Sequence, residues 1–160
     1  MRKHLAIASA ILALFTAACG SSSSPAATAT TPSPTCSGTG TQHAYVVVEH
    51  LSGASLQRCV AFTDSIGGKQ LMDQSGISYQ SQTFNFGLAV CAVDNEPATF
   101  TKCFDPGKPY WSLFVEQSGT WAAAESGIDQ ITLHDKDALG WRFVPAADAT
   151  PSPPPLANES

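Results

Sequence analysis

Pro109-Tyr110-Trp111-Ser112-Leu113-Phe114-Val115-Glu116-Gln117-Ser118-Gly119-Thr120-Trp121-Ala122-Ala123 contains two short runs rich in aromatic and β-branched residues, broken by Gln117-Ser118-Gly119. Such runs suit a pleated, half-buried surface, and the glycine between them marks a turn, so the stretch predicts a β-hairpin. The same pattern recurs on either side of it. Tyr45-Val46-Val47-Val48-Glu49-His50-Leu51 and Leu56-Gln57-Arg58-Cys59-Val60-Ala61-Phe62 flank a Ser52-Gly53 turn and predict a second hairpin. Leu88–Val93 is a compact apolar run ended by Asp94-Asn95-Glu96-Pro97, and Ile131-Thr132-Leu133 leads through His134-Asp135-Lys136-Asp137 to a last strand, Leu139–Val144. The one helical signal is Lys69–Ser75, introduced by Gly67-Gly68 and stopped by Gly76. Strands of this number with one short helix predict an α+β fold: a mostly antiparallel sheet with the helix packed on one face.

The chain has 160 residues, with 8 basic against 13 acidic side chains and a net charge of −5. That length suits one ordinary domain, and the charge argues against nucleic acid, which requires a basic face. Met1-Arg2-Lys3-His4 precedes an apolar run from Leu5 to Ala18, too short for a membrane span and suited to an export signal. Thr16-Ala17-Ala18-Cys19 resembles a bacterial lipobox. Residues 1–19 are therefore expected to be a lipoprotein signal peptide, with Cys19 lipidated and the protein held at the membrane on its extracytoplasmic side. Loss of Arg2 and Lys3 takes the charge from −5 to −7. Residues 20–43 are dominated by Ser, Thr, Pro, Gly and Ala and read as a disordered tether; residues 146–160, with Pro151, Pro153, Pro154 and Pro155, read as a disordered Pro-rich tail. The aromatic residues beyond the signal all fall between Tyr45 and Phe143, which sets the folded domain at residues 44–145.

Of 5 cysteines, Cys19 is assigned to lipid. The other four, in an oxidising compartment, suit two disulfides. Cys91 and Cys103 bracket a short loop, which favours that link and leaves Cys36 with Cys59; closing a loop of this size contributes ~3 kcal/mol in the chain-entropy model. No Cys-x-x-Cys or clustered His suggests a metal site.

Gly68–Gly76 with Leu71 and Met72, Val90-Cys91-Ala92-Val93-Asp94, Pro109–Phe114, Gly119-Thr120-Trp121, Ser126-Gly127 and Gly140-Trp141-Arg142-Phe143 together resemble a bacterial family of exported domains of unknown function. That family is similar to the C-terminal β domain of transcobalamin and intrinsic factor. The resemblance spans about Tyr45 to Val144, and the Tyr-Trp-Ser and Trp-Arg-Phe strands are its most specific parts. Lys136 between Asp135 and Asp137, and Glu116-Gln117, depart from the family pattern. The resemblance implies a β-grasp-like fold and a binding module that covers a corrinoid, with a separate helical protein or an uptake transporter supplying the other half of the site.

Tyr110, Trp111 and Trp121 are the candidate ligand-binding residues, because aromatic side chains offer large contact area with a polar tip. The competing reading places them in the core, and strand alternation sends Tyr110 and Trp111 to opposite faces, so only one of that pair can be core. Trp141, beside Phe143, reads as core. His43, His50 and His134 lie far apart and read as surface residues, and Asp135 with Asp137 supplies too few oxygens for calcium and reads as a solvated turn. No catalytic motif is present: there is no Gly-x-Ser-x-Gly elbow, no His-Glu-x-x-His and no phosphate loop, so no enzyme activity and no cofactor are expected. Two functions stay open: a surface lipoprotein that captures a small ligand such as a cobalamin-like corrinoid for import, and an adhesion or protein/glycan interaction module.

Overall fold

A computed structural model describes residues 35–155. The signal peptide, Cys19 and most of the tether lie outside the described residues. In chain order the elements are β1 (Ser37–Gly38), β2 (Gln42–Glu49), β3 (Ser55–Phe62), β4 (Ile66–Gly67), α1 (Gly68–Ser75), β5 (Tyr79–Phe84), β6 (Gly87–Val93), β7 (Tyr110–Gln117), β8 (Thr120–Ala123), a 3-10 turn (Ile128–Gln130), β9 (Thr132–Leu133) and β10 (Ala138–Val144). The described residues are mostly β with one α-helix, as the sequence predicts. Both expected hairpins form, β2–β3 and β7–β8.

The main sheet has six strands in the order β1-β3-β2-β10-β7-β8. It is mixed. β10 runs parallel to β2, with Trp141 opposite Val48, and antiparallel to β7, with Trp141 opposite Leu113. β10 thus joins the two hairpins into one sheet. Strands covered on both faces carry continuous apolar runs instead of an alternating pattern, and Ala44–Val48 and Ala138–Trp141 are both buried without a break.

The turn before β10 sets this register. His43 N–H donates to Asp135 Oδ1 at 2.8 Å, Lys136 N–H to His43 O at 2.7 Å, and Tyr45 N–H to Asp137 O at 3.0 Å. Asp137 Oδ2 accepts from His134 N–H at 2.8 Å and is buried. Residues 134–136 form an exposed turn, as expected, while Asp137 is buried; the two carboxylates satisfy backbone amides that the start of β2 and the turn leave open.

Across the inner face of the sheet lies α1, which buries Leu71, Met72 and Ser75. Leu71 and Met72 meet Val46, Val48, Val60, Trp111, Leu139 and Trp141 in one core, where the Trp141 indole N–H reaches Met72 Sδ at 3.2 Å. Gly76, at φ 74°, ends the helix in the left-handed conformation that glycine adopts without a Cβ clash. The outer helix surface holds Lys69 against Asp73 at 2.7 Å, and Tyr79 Oη donates to Asp73 Oδ1 at 2.6 Å. The Lys69 hydrogen bond lowers the Asp73 pKa; the same bond raises that of Lys69, and burial raises that of Tyr79.

Disulfides join Cys36 to Cys59 and Cys91 to Cys103. The first moves one domain boundary. It ties residue 36 to β3, and β1 then pairs with β3, so the fold begins well inside the expected 20–43 tether. The other boundary moves too: residues 146–155 lie against the sheet, with Pro154 buried, where a disordered tail was expected. Ten residues of low apolar content find a place because the sheet face beneath them is already apolar. Strand β5, polar along Gln80-Ser81-Gln82, also gives no sequence signal; its pairing with β6 orders it.

Leu71 is fully buried between helix and sheet, so Leu71→Ala is expected to lower the unfolding free energy by about 2–5 kcal/mol in denaturant titration. Asp73, whose folded pKa is lowered, contributes stability that is complete above the ordinary carboxylate value of about 4 and is lost as pH falls through the lowered folded value. Asp73→Asn is then expected to lower Tm at neutral pH, with an effect that shrinks as pH falls through the lowered folded pKa.

Candidate functional site

The two-residue connection Asn85-Phe86 closes the β5–β6 hairpin and carries its tip toward the 3-10 turn. Gly127 N–H donates to Phe86 O at 2.8 Å, Gln130 Nε2 donates to the same oxygen at 3.2 Å, and Leu88 N–H donates to Asp129 Oδ1 at 2.6 Å. This approach needs glycine. A Cβ on Gly127 would lie 2.3 Å from Leu88 N, and one on Gly87, at φ 112°, would lie 2.6 Å from Asp129 Oδ1. With its carbonyl held, the Phe86 side chain projects outward and is 40% exposed.

Phe86 does not stand alone. Its ring stacks on Phe84 at 5.3 Å between centroids, and Phe104, 45% exposed, closes a trio at 5.4 Å from Phe84 and 6.2 Å from Phe86. Phe104 follows Cys103, so the Cys91–Cys103 bond fixes that ring against the hairpin. A second brace holds the start of the same loop. His50 at the end of β2 places Nδ1 2.6 Å from Glu96 Oε2 and Nε2 3.3 Å from Asp94 Oδ2, and the Trp111 indole donates to Glu96 O at 2.7 Å. His50 was read as a surface residue; it is half-buried, with its ring edge on Trp111.

Between this assembly and the main sheet runs a cleft of ≈ 220 Å³. Phe86, Phe104 and Tyr110 form its rim, Leu88, Trp111 and Leu113 line it, and Ser112, Glu125 and Ser126 bring a few polar groups. The adjacent strand edge is open: β8 pairs with β7 only over Phe114–Gln117, and Leu113 O takes Ala124 N–H at 2.9 Å. Among the described residues, Tyr110–Ser112 have no ladder partner on that side. An apolar, aromatic-rimmed cleft with a few polar groups is the usual form of a small-ligand site.

The three aromatic residues singled out from sequence do not form one site. Tyr110 and Trp111 take opposite faces of β7, as alternation requires. Tyr110 is half-buried at the cleft rim, with its hydroxyl donating to Asp148 O at 3.0 Å. Trp111 is core, stacked on Phe143 at 4.9 Å, and reaches the cleft only at its floor. Trp121 sits on the outer sheet face with Tyr45, Cys59 and Ala138, away from the cleft. Phe84, Phe86 and Phe104 were missed. The one available signal was Phe84-Asn85-Phe86-Gly87, two aromatic residues around a turn with no core periodicity to account for them.

No group of three or more His, Cys, Asp and Glu side chains among the described residues is arranged to hold a metal ion. No described helix is long and apolar enough to cross a membrane. No family model matches the chain, and no curated protein matches it. Among solved structures it is similar to a candidate metal-binding protein from Ruminococcus gnavus ATCC 29149, at 18% identity over 66% of this chain and 98% of that chain, with a TM-score of 0.49.

Because the Gly127 contact is with backbone, Gly127→Ala is expected to push the 3-10 turn off the hairpin. Amide exchange should speed up at Leu88 and at position 127 while α1 stays protected, a local opening instead of global unfolding.

Proposed function

We propose that this chain is a lipid-anchored, extracytoplasmic binding module, with Cys19 as its anchor and the cleft beside β7 as its ligand site. The ligand class is a small ring-bearing molecule, and a cobalamin-like corrinoid is the one to test first. The observation that carries the reading is the Phe84–Phe86–Phe104 trio. Disulfide, hydrogen bonds and glycine contacts fix the backbone around Phe86 and Phe104, which stay exposed at the cleft mouth, with half-buried Phe84 packed against both. Rigid aromatic surface at a rim loses little entropy on binding. At ≈ 220 Å³ the cleft is smaller than a site that engulfs a drug-sized molecule. It covers one edge or face of its ligand, and a separate helical protein or an importer holds the rest.

The fold reading that goes with this function is the β-grasp-like C-terminal domain of transcobalamin and intrinsic factor. It is supported by two hairpins flanking a last strand, parallel to the first long strand, with a helix crossing one face. A second reading, an interaction module for a protein partner, is favoured by the open edge of β7 at Tyr110–Ser112, where an extended segment can add as a strand.

Cobalamin titration followed by tryptophan fluorescence tests the first reading, since Trp111 and Trp141 both line the cleft. Saturable quenching is expected, with affinity at least tenfold weaker in Phe86→Ala and Phe104→Ala. A trace that stays flat to high micromolar cobalamin sinks the corrinoid proposal.

A further inference from the structure

We infer that the outer face of the main sheet is a groove for a proline-rich extended segment of a partner polypeptide, held shut in this structure by the chain's own residues 146–155. The site lies on the sheet face opposite α1 and is independent of the cleft reading.

The floor of the groove is Gly140, in the central strand. Glycine inside a strand often marks a place where another group must come close. A Cβ on Gly140 would lie 2.6 Å from Trp121 Cζ3 and 2.7 Å from Pro154 Cγ. The indole and the proline ring therefore meet over the one residue of β10 that leaves room for both. Pro154 is buried there, although its neighbours Pro153 and Pro155 are not.

The segment is pinned along its length. Asp148 O accepts from Tyr110 Oη at 3.0 Å, and Ser152 O accepts from Arg142 Nη1 at 3.1 Å, with Ser152 Oγ bonded to the same nitrogen. Arg142 is itself steadied by Glu49 at 3.4 Å. Ser152 lies at Arg142 and Pro154 at Gly140, so the strap runs antiparallel to β10 with two strap residues to two strand residues. An extended proline-rich segment rises about 3.1 Å per residue and a strand about 3.3 Å, which matches the two contacts, Ser152 on Arg142 and Pro154 on Gly140. An aromatic wall, a guanidinium donor and a matched repeat are the means by which Pro-rich segments are recognised, and their pre-extended backbone loses little entropy on docking.

One group on this wall has no partner. The Trp121 indole N–H is buried without an acceptor among the described residues. A polyproline segment carries unpaired carbonyls along its whole length. The cis strap therefore leaves unmet a donor that a partner segment can satisfy. It competes at an effective concentration on the order of mM, as short tethers do, so the groove answers only to a partner that is abundant or makes more contacts.

The test uses the full chain and a synthetic peptide of residues 146–156. Pro154→Asp is expected to release the strap, red-shift Trp121 emission and bind the peptide at least tenfold more tightly than the native chain does. The peptide carrying Pro154→Asp is expected not to bind. Adding Trp121→Ala to the released chain should abolish peptide binding while the far-ultraviolet spectrum is kept; if that variant does not fold, Trp121→Leu serves. Equal peptide affinity for the native and Pro154→Asp chains, binding that survives loss of Trp121, or no binding at all overturns the inference. So does a strap-exchanged dimer in light scattering, which would make a second copy the occupant.

Discussion

The parallel pairing of β10 with β2 is the contact on which the other elements depend. β10 is the last strand made and the only link between the two hairpins: without it β2–β3 and β7–β8 are separate ribbons, each marginal alone in water. Both faces of β10 are used. Trp141, Leu139 and Phe143 enter the inner core under α1, while Ala138, Gly140 and Arg142 face the other way. Parallel neighbours must come from distant parts of a chain, and β10 meets β2 only after the helix, the β5–β6 hairpin and the disulfide loop have intervened. The cost of closing so long a loop is met by burial on two faces, and the Asp135 and Asp137 carboxylates fix the register at the point where the strand enters.

Two candidate surfaces follow from this arrangement, one at an edge and one on a face. The cleft exists because β8 is shorter than β7 and leaves the Tyr110–Ser112 edge open, while the β5–β6 hairpin stands opposite it. The outer groove exists because Gly140 lowers the middle of the sheet by one Cβ. Tyr110 belongs to both: it lies at the cleft rim and its hydroxyl donates a hydrogen bond to the Asp148 backbone carbonyl at the start of the strap. The surfaces are built differently. Around the cleft, a disulfide and hydrogen bonds hold aromatic rings in place; over the groove, contacts from Arg142 and Tyr110 and one buried proline ring hold the strap.

The helix, the two long hairpins and the β6 and β10 strands were legible in the sequence because each carries its own signal. Lys69–Ser75 has a glycine stop, β2–β3 and β7–β8 have turn residues between apolar runs, and β6 is apolar throughout. Cysteine spacing gave both disulfides for a similar local reason. The site was less legible. The opposite facing of Tyr110 and Trp111 was legible because alternation is a local rule, whereas Phe86 and Phe104 lie 18 positions apart and meet through the Cys91–Cys103 bond and the hairpin tip. Trp121 was joined to the wrong group because sequence proximity places it beside Trp111, and the sheet sends the two to opposite faces.

By itself, then, the sequence determined what period and turn chemistry can encode: β-rich elements, one capped helix, paired cysteines and an acidic net charge. Tertiary structure decided what depends on residues far apart in the chain. It set the parallel register of β10 on β2, ordered the polar strand β5 and placed His50 between Asp94 and Glu96. It also laid Pro154 over Gly140, where composition alone predicts disorder. A Pro-rich segment cannot bury apolar surface against itself, but it can against a sheet face already formed, and only the fold supplies that face.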